Sequence, residues 1–143
     1  MPVTFHSADL SFNLKNKRIL RNWIVSEIVR SGFKPGQINL IFCSDEYLLE
    51  INRKYLSHDY YTDIITFNYN EDNFISGDLF ISIDRICENA ENFKSTVQTE
   101  LCRVIIHGIL HLFGYLDNTP LLKKAIHDKE DDALNRLLLA FGN

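Results

Sequence analysis

The chain has 143 residues, a length that suits one domain able to bury roughly 70% of its unfolded surface. Its 45% hydrophobic and 24% charged residues are ordinary for a globular protein. The three cysteines are odd in number and widely spaced, which argues against a disulfide framework or a thiolate metal site. The net charge of −4 argues against strong non-specific binding to nucleic acid, because such binding comes from neutralised phosphates.

Three features bear on the location of the protein and its partners. The N-terminal residues lack the basic-then-apolar order of a signal peptide, and the apolar stretch at residues 104–113 is too short to span a bilayer. Together with the unpaired cysteines, this predicts a cytoplasmic protein without a membrane partner. A basic cluster consists of Lys15, Lys17, Arg18 and Arg21. We interpret it as a solvated helix surface, with a polyanion-binding face as the alternative.

Hydrophobic periodicity predicts that strands and helices alternate from the N-terminus. A short strand is predicted at residues 3–6 and a helix at residues 14–31, where apolar residues recur at helical spacing before the glycine that stops it. Pro35 and Gly36 predict a turn. Residues 37–43 then alternate apolar and polar side chains, as a half-buried strand does.

The middle of the chain predicts a helix followed by two paired strands. Ser44 or Asp45 can cap a helix that runs through residue 55. The β-rich runs at residues 64–67 and 77–83 are predicted to be neighbouring strands, with a polar loop between them. Asp84 is the predicted cap of the next helix, which extends to about residue 93.

Two helices complete the predicted fold. The helix at residues 97–113 is apolar on most of its circumference, so we expect it to lie in the protein interior. Gly114 is its predicted stop, and a last helix is predicted at residues 120–139. This order of elements predicts a single α/β domain over residues 1–143, with α+β character: a small mixed sheet packed on helices.

The segment from His107 to Asp117 carries the pattern that indicates chemistry. Residues four apart on an α-helix project in nearly the same direction, so His107 and His111 can bind one metal ion through their ring nitrogens. Gly114 can adopt a left-handed conformation, which lets the carboxylate of Asp117 return to the ion. We therefore predict a metal site of His107, His111 and Asp117 that holds zinc, with nickel as the alternative. Three protein ligands leave one position open, as in catalytic zinc sites.

The histidines also have a simpler interpretation as buried core residues. Two histidines on one face of an almost wholly apolar helix favour the metal, since each buried imidazole otherwise needs its own hydrogen-bond partners. We interpret His6, His58 and His127 as surface or capping residues. His127 is kept as a reserve third ligand in place of Asp117.

Zinc peptidases place two histidines on a helix in a similar way, with a glutamate beside the first histidine as the general base. Gly108 occupies that position here, and Glu100 lies too early on the helix to face the metal. A zinc metallopeptidase is therefore the less favoured alternative.

The residues HGILHLFGY at 107–115 resemble the signature HGxLHLxGYDH of the YbeY family, the bacterial metal-dependent endoribonucleases of ribosomal RNA maturation. The acidic pair Glu130 and Asp131 fits the family as well, and the resemblance covers roughly residues 40–135. Further matching positions, in consistent order, are Asn52, Tyr55, Asp59, Thr62, Asp63, Ile64, Thr66, Phe67, Gly77, Asp78, Leu79, Ile81 and Ser82.

The resemblance implies a function and a set of partners. It implies a fold similar to the zinc-peptidase core around the metal, and cleavage of single-stranded RNA by a metal-dependent endoribonuclease. It further implies roles in small-subunit rRNA maturation and ribosome quality control. The implied partners are single-stranded RNA, rRNA, the small ribosomal subunit and its assembly factors, with no DNA substrate expected.

The chain departs from the family pattern at its third metal ligand. Leu116 and Asp117 stand where the family has Asp-His, so Asp117 takes the place of the ligand histidine. A shift of one residue would instead place Asn118 there, but a neutral amide is a poor zinc ligand.

A second departure concerns the family arginine implicated in RNA cleavage, because this chain has Leu56 at that position. Arg53 lies one helical turn earlier, and we expect it to bind the scissile phosphate, with His111 as the second catalytic residue. The missing arginine favours one alternative, a non-catalytic ribosome-assembly factor that its metal merely stabilises. The open coordination position argues against that alternative.

Overall fold

The structure is a computed structural model that describes residues 2–141. Its strands and helices follow the predicted order. They are β1 (Val3–Ser7), α1 (Lys17–Arg30), β2 (Lys34–Cys43), α2 (Asp45–Leu56), β3 (Ile64–Asn68), β4 (Phe74–Ser82), α3 (Ile83–Asn92), α4 (Val97–Leu112) and α5 (Pro120–Phe141).

The four strands form one mixed sheet in the order β1-β2-β4-β3. β1 and β4 both pair with β2 in parallel, whereas β3 pairs with β4 antiparallel. The predicted pairing of the two β-rich runs is therefore confirmed, with Ile64 opposite Ile81. The prediction of a small mixed sheet packed on helices is confirmed as well.

The helices cover the sheet unequally. α1, α3, α4 and α5 contribute buried side chains to the main core, in which the inward residues of β2 are Ile38, Leu40 and Phe42. α2 packs on the other side, where Leu48 and Ile65 belong to a smaller apolar cluster. α4 is the most deeply buried helix, which confirms the prediction from its almost wholly apolar sequence.

Three predicted boundaries were wrong. α1 begins at Lys17 because Asn16, with φ 61°, interrupts the helical backbone before it. Residues Pro35 and Gly36 lie inside β2 rather than in a turn; Pro35 pairs with Ile75 next to an irregularity in the ladder, where a missing N–H is tolerated. The cap of α3 is Ser82, whose hydroxyl accepts the backbone N–H of Arg85, so Asp84 falls in the first helical turn.

Two polar contacts, one buried and one part-buried, attach α5 to α1 and thereby determine where α5 crosses the core. The indole N–H of Trp23 donates to the backbone carbonyl of Ala133 at 2.9 Å. The guanidinium of Arg136 donates two hydrogen bonds, of 2.8 and 2.6 Å, to the buried carboxylate of Glu27. A paired buried charge is strongly favoured over an isolated one, so these contacts select one placement of α5. That placement brings Glu130 towards α4.

No helix within residues 2–141 combines the length and the apolar composition that crossing a bilayer requires.

Candidate metal centre

The last two turns of α4 place His107 and His111 side by side at the protein surface. Their Nε2 atoms lie 2.9 Å apart, and the two rings are nearly perpendicular, with an interplanar angle of 84°. The remaining faces of this part of α4 are buried, so the two imidazoles are the polar groups that the helix presents outward. The predicted common direction of the two side chains is present in the structure.

The end of α4 returns the chain to the two histidines. Gly114 has φ 105°, and the backbone N–H of Tyr115 donates to the carbonyl of Leu110, five residues earlier. This reversal brings Oδ2 of Asp117 to 3.4 Å from Nε2 of His107 and 3.4 Å from Nε2 of His111. Three donor atoms therefore converge, as the spacing predicted.

Hydrogen bonds at the far side of each ring determine which nitrogen faces the cluster. Nδ1 of His107 donates to Glu130 at 2.6 Å, and Nδ1 of His111 donates to the carbonyl of Tyr115 at 2.8 Å. Because a carboxylate and a carbonyl are acceptors, both rings carry hydrogen on Nδ1 and a lone pair on Nε2. Two lone pairs and the carboxylate of Asp117 then face one point, an arrangement that a bound cation would satisfy.

The dimensions of the cluster suit a transition-metal ion. Ligands about 2.0–2.1 Å from a tetrahedral ion are roughly 3.3 Å apart, close to the 2.9, 3.4 and 3.4 Å measured here. All three donor atoms lie within 4.8 Å of one another. Two imidazoles and one carboxylate are ligands that zinc and other borderline ions accept, and carboxylate–histidine pairs typically orient metal-bound histidines. The residues therefore fit such an ion.

Glu130 raises the pKa of His107. Burial disfavours protonated His107, but the hydrogen bond and the negative charge of Glu130, with smaller effects from Asp117 and Asp63, raise the pKa of the ring. Glu130 itself is buried and accepts a second ion pair from Arg103 at 2.9 Å. Arg103 is in turn held by Asp131 at 2.7 Å.

A groove of about 550 Å³ opens beside the donor atoms. Side chains from α2, the segment after it, β3, α4 and Asp117 line it. Asp63 is one of these lining residues, and burial raises the pKa of its carboxyl group, partly opposed by the charge of His107. A carboxyl group with a raised pKa can exchange protons nearer to neutral pH than an ordinary aspartate.

The structure leaves other candidate residues away from the cluster. His127 is 58% exposed in its side chain and lies beside Arg103 and Glu130, not beside His107 or His111. His6 is an exposed partner of Thr4. Asn118 is exposed at the surface. Of Asp117 and His127, only Asp117 reaches the cluster of donor atoms.

Arg53 does not line the groove in this conformation. Its guanidinium donates to Asp59 at 2.6 Å and to Glu50 at 2.8 Å, and hydrogen bonds to these two carboxylates raise its pKa further. The position of the missing family arginine, Leu56, does line the groove. The role of Arg53 in RNA cleavage stays a prediction.

The position of Gly108 weakens the peptidase alternative. A Cβ atom at Gly108 would lie 2.7 Å from side-chain atoms of both Ile64 and Leu79, so this position faces the sheet and has no room for a glutamate. Glu100 is buried in the first turn of α4, where its electrostatic neighbours are Asp63, Arg103 and Glu130. Neither position supplies the general base of the peptidase helix.

The sequence carries a signal for the buried role of Glu130 in the spacing of α5. α5 buries Ile126, Ala133 and Leu137, and Glu130 lies on the same face at helical spacing. A carboxylate on an otherwise apolar face requires a buried partner, here His107 and Arg103. The backbone carbonyl of Tyr115 carried no such signal, because every residue has one.

Comparisons with known proteins give a consistent result. Residues 3–138 match the family model described as Endoribonuclease YbeY. A protein of that name from Parabacteroides distasonis is 48% identical over 134 residues, covering 94% of this chain and 94% of the relative. A protein of the same name from Bacteroides thetaiotaomicron is also 48% identical, and the match covers 94% of this chain and 98% of the relative. The solution structure of a Thermotoga maritima protein superimposes with a TM-score of 0.66 at 26% identity, covering 97% of this chain and 91% of that chain.

We expect the purified protein to bind about one zinc ion, and His107→Ala or His111→Ala to abolish stoichiometric binding because each removes a converging donor. Asp117→Ala should lose much of the ion, whereas His127→Ala serves as the matched control and should retain it. Metal analysis of the four variants measures this directly. Loss of the ion from His127→Ala instead of Asp117→Ala would make His127 the third ligand.

Chelation should lower the melting temperature of the wild type but hardly that of His107→Ala, because the ion binds only the folded protein and His107→Ala has lost it.

A further prediction concerns Glu130. Glu130→Gln keeps the size of the side chain but removes the charge that orients and polarises His107, so zinc affinity should fall by about 10- to 100-fold. Competition with a chromophoric chelator measures the change. Asp45→Asn is the matched control, because it also neutralises a largely buried carboxylate paired with an arginine, Arg85, but Asp45 neither lines the groove nor pairs with α5. Both variants should be less stable, but equal zinc affinities would show that Glu130 has no role at the metal centre.

Proposed function

The chain belongs to the endoribonuclease YbeY family, and from that premise we propose that it is a metal-dependent endoribonuclease acting on single-stranded RNA. The observation that carries this proposal is the convergence of His107, His111 and Asp117 beside an open groove. A structural site would close the fourth position with another protein ligand, but residues 2–141 offer three.

His107, His111 and Asp117 would hold the ion, and zinc suits this set of two nitrogens and one oxygen best, with nickel as the alternative. When bound, the ion supplies a Lewis acid that activates water and neutralises charge developing on the scissile phosphate. Glu130 and the carbonyl of Tyr115 keep the two rings in the orientation that binding requires. His111, which contributes one of the three donors, is thereby a catalytic residue of the proposed reaction.

We infer that Asp63 acts as a general acid or base during the cleavage. Its carboxyl group lines the groove that holds the donor atoms, and burial raises its pKa. A carboxyl group of this kind can accept a proton from an attacking group or return one to a leaving oxygen. Asp63 therefore complements His107, His111 and Asp117, which would hold the ion.

Arg53 is proposed to bind phosphate beside the groove. Its partner Asp59 belongs to the segment that also carries the groove residues His58 and Tyr60. Both ion pairs of Arg53 are exposed, and exposed pairs are weak, so a phosphate can replace one carboxylate at little cost. Leu56 leaves this chain without the family arginine, which makes Arg53 the nearest replacement on α2.

The family further supports a role in small-subunit rRNA maturation and ribosome quality control. In that role the partners would be rRNA, the small ribosomal subunit and its assembly factors in the cytoplasm, with neither DNA nor a membrane involved. The whole chain, residues 1–143, would act as a single domain.

We expect metal-loaded protein to cleave a labelled single-stranded RNA and to leave casein intact. Chelation or His111→Ala should reduce cleavage more than about 100-fold, because the Lewis acid supplies several kcal/mol of transition-state stabilisation. Gel analysis of the RNA products measures the effect, and added zinc should restore activity only to the chelated wild type. An RNA-inactive protein with about one bound ion would favour the non-catalytic assembly factor, and casein cleavage would favour the peptidase.

Arg53→Ala should lower kcat/KM for the RNA by about 10- to 100-fold, the range expected when one charge-assisted hydrogen bond to phosphate is lost. Metal content and melting temperature should stay unchanged, because both ion pairs of Arg53 are exposed. Lys54→Ala removes the adjacent cation and is the matched control. Equal activity of Arg53→Ala and wild type would show that Arg53 is a solvated surface residue with no part in cleavage.

A further inference from the structure

Two aromatic rings form one wall of the groove beside the metal centre. His58 and Tyr60 stack with ring centroids 5.1 Å apart and an interplanar angle of 22°, and the Tyr60 hydroxyl lies 3.0 Å from Nδ1 of His58. Both residues line the groove that His107 and His111 also line. We refer to His58 and Tyr60 as the aromatic pair. Tyr60 is 57% exposed, so the pair buries too little surface to be explained by packing alone.

The aromatic pair is held by the preceding helix. Asn52 of α2 is 1% exposed, and its side-chain amide donates to the backbone carbonyl of Tyr60 at 2.9 Å. Its backbone carbonyl accepts the N–H of His58 at 3.1 Å, and Ser57 ends the helix with φ 55°. A buried amide thus positions an exposed pair of rings. Preorganisation of this kind lowers the entropy lost when a ligand binds.

The groove is poor in positive charge. Among its lining residues in the described part of the chain there is no lysine or arginine, whereas Asp63 and Asp117 are both acidic. The protein as a whole has a net charge of −4. Neutralisation of phosphates by cations, the usual source of affinity for nucleic acid, is therefore weak in the groove itself. An RNA strand that enters it needs another source of affinity.

We propose that the aromatic pair is a stacking subsite for one unpaired base next to the phosphate that is cleaved. The inference rests on the proposed endoribonuclease function and adds a substrate-positioning element to it. Nucleobases stack on aromatic side chains with little dependence on sequence, because every base has an aromatic face. A base within a duplex has both faces covered by its neighbours, so the aromatic pair selects single-stranded RNA.

The chain provides a matched control for this proposal. Tyr61 adjoins Tyr60 and is 48% exposed, but its hydroxyl donates to Glu46 and its ring lies under the guanidinium of Arg85. Tyr61 is not among the residues that line the groove. Tyr61→Ala therefore removes an equivalent exposed ring outside the proposed subsite, and Tyr60→Phe keeps the stacking ring without its hydroxyl.

The test uses the metal-loaded protein and single-stranded RNAs of about ten nucleotides, a length within the span of known single-strand sites. Each RNA carries one 2-aminopurine, whose fluorescence is quenched when the base stacks, at a different position around the cleaved bond. Quenching is read on mixing, before turnover, and KM is measured on the same RNAs. Metal content is determined for every variant.

Wild type, Tyr60→Phe and Tyr61→Ala should quench the 2-aminopurine at one position beside the cleaved bond. Tyr60→Ala should lose this quenching and raise KM between about fivefold and 100-fold, with its metal content unchanged. Quenching that persists in Tyr60→Ala, or a KM equal to that of Tyr61→Ala, would overturn the subsite. Wild-type protein that quenches the probe without cleaving RNA would instead contradict the proposed function while supporting the subsite.

Discussion

The hydrogen bond between Glu130 and Nδ1 of His107 is the contact on which the proposed metal centre depends. It places the hydrogen of the imidazole on the buried side, and so the lone pair of Nε2 faces Asp117 and His111. The same carboxylate is held by Arg103, so its position does not rely on the histidine alone. Because Glu130 lies on α5, every contact that fixes α5 also fixes the direction of this ring. The pairs Trp23–Ala133 and Glu27–Arg136 therefore support the centre from a distance.

α4 combines two requirements that usually conflict. It must be apolar enough to lie in the core, and it must carry polar ligands to an open groove. The helical period separates the two, since Gly108 faces the sheet while His107 and His111 face outward. The close approach at Gly108 explains why no larger residue fits there. A rigid, buried helix is a suitable support, because ligand atoms must be held within a few tenths of an ångström.

The composition of the groove suggests that different groups bind the phosphate and the base of an RNA strand. The acidic residues of the groove suit a site for a cation and its exposed rings suit a base. Arg53 does not line the groove and is paired with Asp59 and Glu50. Affinity would then come from the ion at the phosphate and from stacking at His58 and Tyr60. Such a site tolerates many sequences but requires an unpaired strand. The acidic surface of the protein also limits non-specific binding to duplex nucleic acid.

Local patterns in the sequence determined most of the elements and the core of the metal cluster. Alternation and helical spacing predicted the strands and helices, and the i, i+4 histidines with Gly114 predicted the return of Asp117, because all of these depend on residues close together in the chain. The strand order, the aromatic wall and the contact of Glu130 with His107 were decided by the tertiary structure. Glu130 is 23 residues from His107, and Arg136 is 109 from Glu27. Contacts at such separations follow from how buried faces pack against one another, which no local periodicity encodes.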